Sequence, residues 1–311
     1  MKACTGAQSS RVAIAPVTAD NAPVIRFASL LLLAAQLFGC QQSAARLVDE
    51  AKNYDFAKQP EKALAAYQRA LLALGRDESD SARSLRARCY RGAGDICYLD
   101  LHDYLRAVEF YRKLTEAYPE APEVFQARAN LYDILRSHGG DRRTALAELA
   151  SLVQSFPNHP DVDRYQFLAA EDYFDLADYQ QARIEAKALL DRFPESAFGP
   201  EAQNLVASAF AFENRRTDAV NAYLALIARW PNHPLVPRAR LEIGKLYADG
   251  GDLDRAQEIM LLALKDHPDP RAVQSELARL RRRIARTRPA DATDHDAVWD
   301  HDAATRERGA Q

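Results

Sequence analysis

The chain is poor in the residues that do chemistry. Its 311 residues include four cysteines and seven histidines, and no pair of cysteines stands at the C-x-x-C spacing of a zinc or redox site. It has no G-x-S-x-G elbow, no H-E-x-x-H helix, no glycine-rich phosphate loop and no patterned pair of catalytic acids. The enzyme classes built on those devices are excluded, and neither a cofactor nor a metal is called for. An excess of one charge is missing too. Lys and Arg number 41 against 44 Asp and Glu, a net charge of −3, so no global field draws the protein to nucleic acid or to an anionic surface. A membrane-spanning run is also missing: the apolar stretch 27–38, FASLLLLAAQLF, falls short of the ~20 residues a transmembrane helix needs. What remains is 48% hydrophobic and 27% charged, ordinary for a soluble folded protein.

What the chain has is a repeat. Read backwards, an aromatic-Pro or His-Pro recurs at Pro268, Pro231, Pro194, Pro157 and Pro119, spaced by 37, 37, 37 and 38 residues. Twelve residues before each of these prolines stands Ala107, Ala145, Ala182, Ala219 or Ala256, and an earlier copy has Ala63 with Gly75 in the proline's place. Four residues after the alanine come Tyr67, Tyr111, Leu149, Ala186, Tyr223 and Met260; seven after it come Ala70, Leu114, Leu152, Leu189, Leu226 and Ala263. Positions i, i+4 and i+7 share one face of a helix. Nine residues before the alanine stand Tyr54, Tyr98, Tyr173, Phe210 and Tyr247, while Gly139-Gly140 shifts the third copy by about one residue. Small residues let two helices approach, aromatics fill the space beside them, and proline ends the second helix. Turn residues such as Asp249-Gly250-Gly251-Asp252 supply a tight reversal and an N-cap. Size alone suggests two domains, but a hairpin that cannot bury its apolar face alone must stack on its neighbours.

Gly244, Tyr247, Ala256, Met260, Ala263 and Pro268 are the small–aromatic–alanine–large–small–proline pattern of the tetratricopeptide repeat, which residues 44–268 resemble in six copies. The aromatic usual near the start of the first helix is missing, and the period exceeds the family's 34. The longer period resembles that of bacterial envelope lipoproteins, the TolA-binding Tol–Pal coordinator and the lipoprotein of the outer-membrane barrel assembly machine, and the copy number of six resembles that of lipoproteins that pilot secretins. The resemblance implies an all-α fold, a tetratricopeptide-like helical-hairpin solenoid wound as a right-handed superhelix. The polar stretch 76–80 reads as the one longer linker, since Ala63 and Ala107 lie 44 apart. Val273, Leu277, Leu280 and Ile284 line one face of a capping helix over 269–288, and residues 289–311 lack periodicity and read as a disordered tail.

Ahead of the repeats, Arg26, the apolar run and Gly39-Cys40 read as a signal peptide over residues 1–39. Leu37-Phe38-Gly39-Cys40 resembles a bacterial lipobox, with Phe38 where Ala or Ser is usual, which implies lipid attachment at Cys40 and a short lipidated tether over 40–43. Gln41 stands where Asp favours inner-membrane retention in such lipoproteins, so the expected location is the outer membrane, facing the periplasm. Residues 1–23 make a long preamble for a signal, and the hypothesis is that translation starts near Val24. Sequencing the unprocessed precursor tests it: peptide from 1–23 would refute it.

The remaining candidates read as structure. Cys89 and Cys97, eight residues apart on one expected helix, would lie about 12 Å apart, too far for a disulfide. His159 and His233 occupy equivalent turns two repeats apart, too far to share an ion. Two Asp-His-Asp triplets, at 294–296 and 300–302, sit in the tail without a fold around them, and the six arginines between Arg279 and Arg288 read as a solvated face. The working surface is then the groove lined by first helices, as the resemblance implies. Three rows mark it: Lys52, Asp133, Glu171, Ser208 and Lys245; Ala129, Phe167, Asn204 and Leu241; and Gln126, Arg164, Glu201 and Arg238. Polar groups with Phe167 and Leu241 among them suit an extended peptide or a helix of another protein. The expected function is a non-enzymatic, membrane-anchored scaffold that binds another envelope protein. Two other classes stand beside it: a soluble cytoplasmic adaptor, and a peptidoglycan-binding or -modifying protein.

Overall fold

The computed structural model describes residues 43–139 and 141–287. The signal peptide, Cys40 and the tail lie outside the described residues. Those described form thirteen α-helices and no strand: α1 (43–56), α2 (Pro60–Leu74), α3 (Asp80–Asp95), α4 (Tyr104–Ala117), α5 (Val124–Ser137), α6 (Arg142–Ser155), α7 (Val162–Asp175), α8 (Tyr179–Arg192), α9 (Gly199–Phe212), α10 (Arg216–Arg229), α11 (Val236–Gly250), α12 (Leu253–Asp266) and α13 (Pro270–Thr287). None of them is long and apolar enough to cross a membrane. The chain divides within α5 into two compact units, residues 1–134 and 135–311. In the first, α2 packs on α3 and α3 on α4; in the second, each helix from α6 to α13 packs on the next, and α7 also touches α9.

The alanine rows are the core. All six anchor alanines are fully buried, as are Ala70, Leu114, Leu152, Leu189, Leu226 and Ala263 seven residues on. The residues between, Tyr67, Tyr111, Leu149, Ala186, Tyr223 and Met260, are buried too. Each leucine of that set contributes about 2 kcal/mol by leaving water. Small and large residues interlock as their types require: a Cβ on Gly94 would meet the Tyr111 ring at 2.5 Å, and one on Gly244 would meet Met260 Cγ at 2.5 Å.

Turns and connectors repeat as closely. The second helix is capped by Asp103, Asp141, Asp178 or Asp252, whose carboxylate accepts backbone N–H groups of the first turn. Immediately before the cap the chain takes a left-handed residue: Lys58, His102, Ala177, Asn214 and Gly251 have φ of 55°, 53°, 59°, 59° and 88°. At the far end Tyr118, Phe156, Phe193, Trp230 and His267 still donate N–H to the carbonyl four residues back, and the proline after each has no N–H to continue the helix. Two fourteen-residue helices, a three-residue turn and a six-residue connector make up the period, as in α7, 176–178, α8 and 193–198.

The second repeat corrects one expectation. Residues 75–79, between α2 and α3, are one residue shorter than the other inter-repeat connectors, so 76–80 is not a longer linker. The extra length lies in the first helix, which starts at Asp80 and runs on through a π-helical turn, Ile96–Asp100, before α4. A π turn inserts one residue into a helix and rotates everything before it relative to everything after. Cys89 and Cys97 are both buried and unbridged; burial pushes their thiols up to about 12 and about 11, away from nucleophilic thiolate. At the C-terminus, α13 lays Val273, Leu277 and Leu280 over Leu241, Ala256, Met260 and Ala263 as the expected cap.

Candidate partner-binding groove

First helices of successive repeats present one turn after another to the same side, so residues at equal register form rows. In the second unit these rows enclose a recess of about 290 Å³ lined by Arg136, Phe167, Glu171, Phe174, Asp175, Glu201, Asn204, Leu205, Ser208 and Leu235. It spans the end of α5, α7, α9 and the approach to α11. Of the residues singled out by sequence, it gathers Phe167, Glu171 and Asn204 from α7 and α9, with Glu201 and Ser208 of the same rows. Phe167 forms its floor: it is 9% exposed and stacks on Phe198 with centroids 5.5 Å apart. Ser208 shares a 3.0 Å hydrogen bond with Tyr223, which ties the groove wall to the core of its own repeat.

The other expected groove residues lie elsewhere. Leu241 is not a groove residue: it is 5% exposed, buried with Met260, Val273 and Leu277, because α13 covers that face of α11. Lys245 pairs with Glu242 at 2.7 Å and lines a separate recess with Glu276, Arg279 and Arg283 of the cap. Arg238 is exposed and lies in a third depression with Pro231, Pro234, Arg240 and Asp266. Arg164 is exposed, its guanidinium 5.8 Å from the Tyr165 ring. Gln126 and Asp133 belong to the first unit. There Gln126 donates to Asn130 Oδ1 at 2.9 Å, and Asp133 is exposed.

Two groups escaped the sequence reading. In the first unit, Tyr111 donates to Asp95 Oδ1 at 2.7 Å, and Asn130 donates to the Tyr111 hydroxyl at 2.8 Å and to Asp95 at 3.2 Å. This matches the Ser208–Tyr223 pair, so Asp95 is the second repeat's member of the row Lys52, Asp133, Glu171, Ser208, Lys245. Counting from Ala107 lands on Ile96 instead, because the π turn adds a residue. Burial raises the Asp95 pKa, against the Tyr111 hydrogen bond and the Arg91 charge that lower it. In the second unit, Phe174 and Asp175 add a further row one turn along α7. Phe174, Tyr179 and Phe212 form an aromatic trio with centroids 5.3–5.5 Å apart, and Phe212 is 65% exposed.

The recess is acidic. Glu171, Asp175 and Glu201 line it with one cation, Arg136, and the Arg136 Nε lies 2.9 Å from the fully buried Asp172. Asp175 has Arg142 at 3.2 Å and Glu201 has His233 at 3.7 Å. Glu171 makes no hydrogen bond or ion pair among the described residues. Desolvation raises its pKa first; Arg136 lowers it, and Asp175, Asp172 and Glu201 raise it further. His159 and His233 act as turn residues, their Nδ1 atoms accepting the N–H of Asp161 and Leu235. No cluster of three or more metal-ligating side chains occurs among the described residues.

Residues 207–273, from within α9 to the start of α13, match a family model described as tetratricopeptide repeat. No curated protein sequence matches the chain. Solved structures similar to it include a tetratricopeptide repeat protein from Parabacteroides merdae, 14% identical, covering 77% of this chain and 99% of its own, with a TM-score of 0.47. Another is the MamA protein, 19% identical over 58% of this chain and 91% of its own, TM-score 0.46. A third is PilW, a type IV pilus biogenesis factor, 17% identical over 76% of this chain and 99% of its own, TM-score 0.43.

Proposed function

We propose that the protein is a scaffold that holds a segment of another protein in the groove between α7 and α9, and that a lipid on Cys40 anchors it to a membrane. The observation behind the binding role is the recess itself. A stacked aromatic floor, Phe167 on Phe198, lies under polar side chains, Glu171, Asn204 and Ser208, that an incoming backbone or side chain can bond. The repeat match over 207–273 agrees with an interaction role. The mechanism is associative: the groove selects the segment, and the anchor fixes where the complex forms.

The anchor rests on sequence alone, on the apolar run 27–38 followed by Gly39-Cys40. Each buried acyl CH₂ is worth about 0.8 kcal/mol, so two or more chains hold lastingly. With Gln41 after the cysteine, the proposed location is the outer membrane with the repeats in the periplasm, and the partner is an envelope protein. Outer-membrane assembly, Tol–Pal-type coordination and secretin piloting are the three settings this suits. Radiolabelled palmitate tests it. The wild-type chain incorporates label and sediments with the outer membrane, and Cys40→Ala loses both. Unlabelled wild type would point to a soluble adaptor. In the same cells, Asn204→Trp fills the groove and releases the captured partner without loss of helicity; capture unchanged by Asn204→Trp would remove the groove from the account.

A further inference from the structure

The groove has a chemical preference that the binding role alone does not require. Three features converge on its α7 side. The aromatic trio Phe174, Tyr179 and Phe212 presents exposed ring surface, with Phe174 in the recess wall. Asp175 adjoins it, Glu171 lies one turn back on the same helix, and Glu201 comes from α9. Arg136 pairs with the buried Asp172 at 2.9 Å; its charge also reaches Glu171, but Glu171 makes no hydrogen bond or ion pair among the described residues. Glu201 adds a carboxylate oxygen, Oε2, that is shielded from solvent and accepts no hydrogen bond. Carboxylates left short of donors, beside open aromatic faces, complement a delocalised cation on an apolar stem. A guanidinium bonds carboxylates through its fork and lies flat on an aromatic ring.

We infer that the groove recognises its partner through a basic side chain, arginine in preference to lysine, seated between Glu171, Glu201 and the Phe174–Phe212 rings, with an apolar neighbour on Phe167. This rests on the groove being the binding surface. An acidic segment is disfavoured, because it would meet Glu171, Asp175 and Glu201, and the basic groups beside them, Arg136, Arg142 and His233, each already lie against a carboxylate. The raised pKa of Glu171 agrees: the site lacks positive charge that a ligand would bring. Binding then weakens as pH falls through the Glu171 titration, since protonation removes the charge the ligand meets.

A displayed library of random peptides, selected on the purified full chain, tests it. Three targets are compared: wild type, Glu171→Gln with Glu201→Gln, and Asn204→Trp. The expected result is that wild type enriches peptides with arginine beside an apolar residue, that the double amide variant binds those peptides at least about tenfold more weakly, and that Asn204→Trp binds none. Peptides lost on Asn204→Trp but not enriched in basic residues would overturn the inference and leave the groove as the binding surface. Peptides indifferent to Asn204→Trp would overturn both. Sedimentation of the protein alone is the last arm. Self-association abolished by Glu171→Gln with Glu201→Gln would place the exposed arginines of a second copy's α13 in the groove, and overturn the assignment to a separate partner.

Discussion

At the scale of residues, the same physical arrangement serves packing and the groove. A tyrosine four residues after the anchor alanine reaches across to the first helix and bonds the groove row there: Tyr223 to Ser208, Tyr111 to Asp95. Asp95 is held in a neutral-leaning setting, because desolvation outweighs Tyr111 and Arg91 and raises its pKa. The sign follows from linkage. A carboxyl with a raised folded pKa adds stability that is fully present below its unfolded pKa and is lost as pH rises through the folded value. Asp95→Asn keeps an acceptor for the Tyr111 hydroxyl and removes the titration. It is therefore expected to unfold in urea at neutral pH no more easily than wild type, with less loss of stability between acid and neutral pH. Asp95→Ala strands the Tyr111 and Asn130 donors and is expected to cost about 1–3 kcal/mol. Equal losses for Asn and Ala would show that the charge, not the acceptor, matters there. The residues of this network stand plainly in the sequence, but their partnership was not legible. A π turn is a slip of one residue in the helical hydrogen bonds, and spacing counted from Ala107 passes over it.

At the scale of elements, five of the hairpin turns hold one residue in the left-handed region, and only one of these described positions gives it to glycine. Lys58, His102, Ala177 and Asn214 hold φ of 53–59° there, against Gly251 at 88°. A side chain in that region costs roughly 1–2 kcal/mol, partly offset by the greater chain entropy glycine loses on folding. Ala177→Gly is accordingly expected to stabilise by up to about 1 kcal/mol, and Gly251→Ala to destabilise by a similar amount. No atom lies within 4 Å of a Cβ on Gly251, so that loss measures backbone strain less the entropy offset, with no steric clash added. Urea melts of the two variants check the pair, and the opposite order would mean that the turns are not held at these angles. Helix identity and the buried faces were legible because in every copy the anchor alanine is followed by an apolar or aromatic residue at i+4 and by alanine or leucine at i+7. Helix length was not. Arg76–Asp80 is polar enough to read as a linker, yet Asp80 begins α3, and the added residues extend a helix. Polar composition marks solvent exposure, not the end of a helix.

At the scale of the whole chain, the net charge of −3 conceals a local division in the second unit. Three carboxylates and one cation line the recess over α7 and α9, while the recess beside the cap is mixed, with Lys245, Arg279 and Arg283 against Asp249 and Glu276. Rows of first-helix residues were legible as rows, and Phe167, Glu171 and Asn204 do share a groove. What the spacing did not convey is that α13 takes Leu241 out of reach and that a further row, Phe174 and Asp175, completes the wall. Equal register places residues on one side, but the cap decides how far along the array that side stays open. The central claim is that this groove is where the protein meets its partner. A photo-crosslinking residue placed at Asn204, compared in the native host with one at Leu262 on the exposed face of α12, tests it most directly. The account predicts one discrete protein adduct from position 204, lost when Glu171 and Glu201 are both changed to glutamine, and none of that adduct from position 262. The same adducts from both positions, or an adduct only from 262, would contradict it.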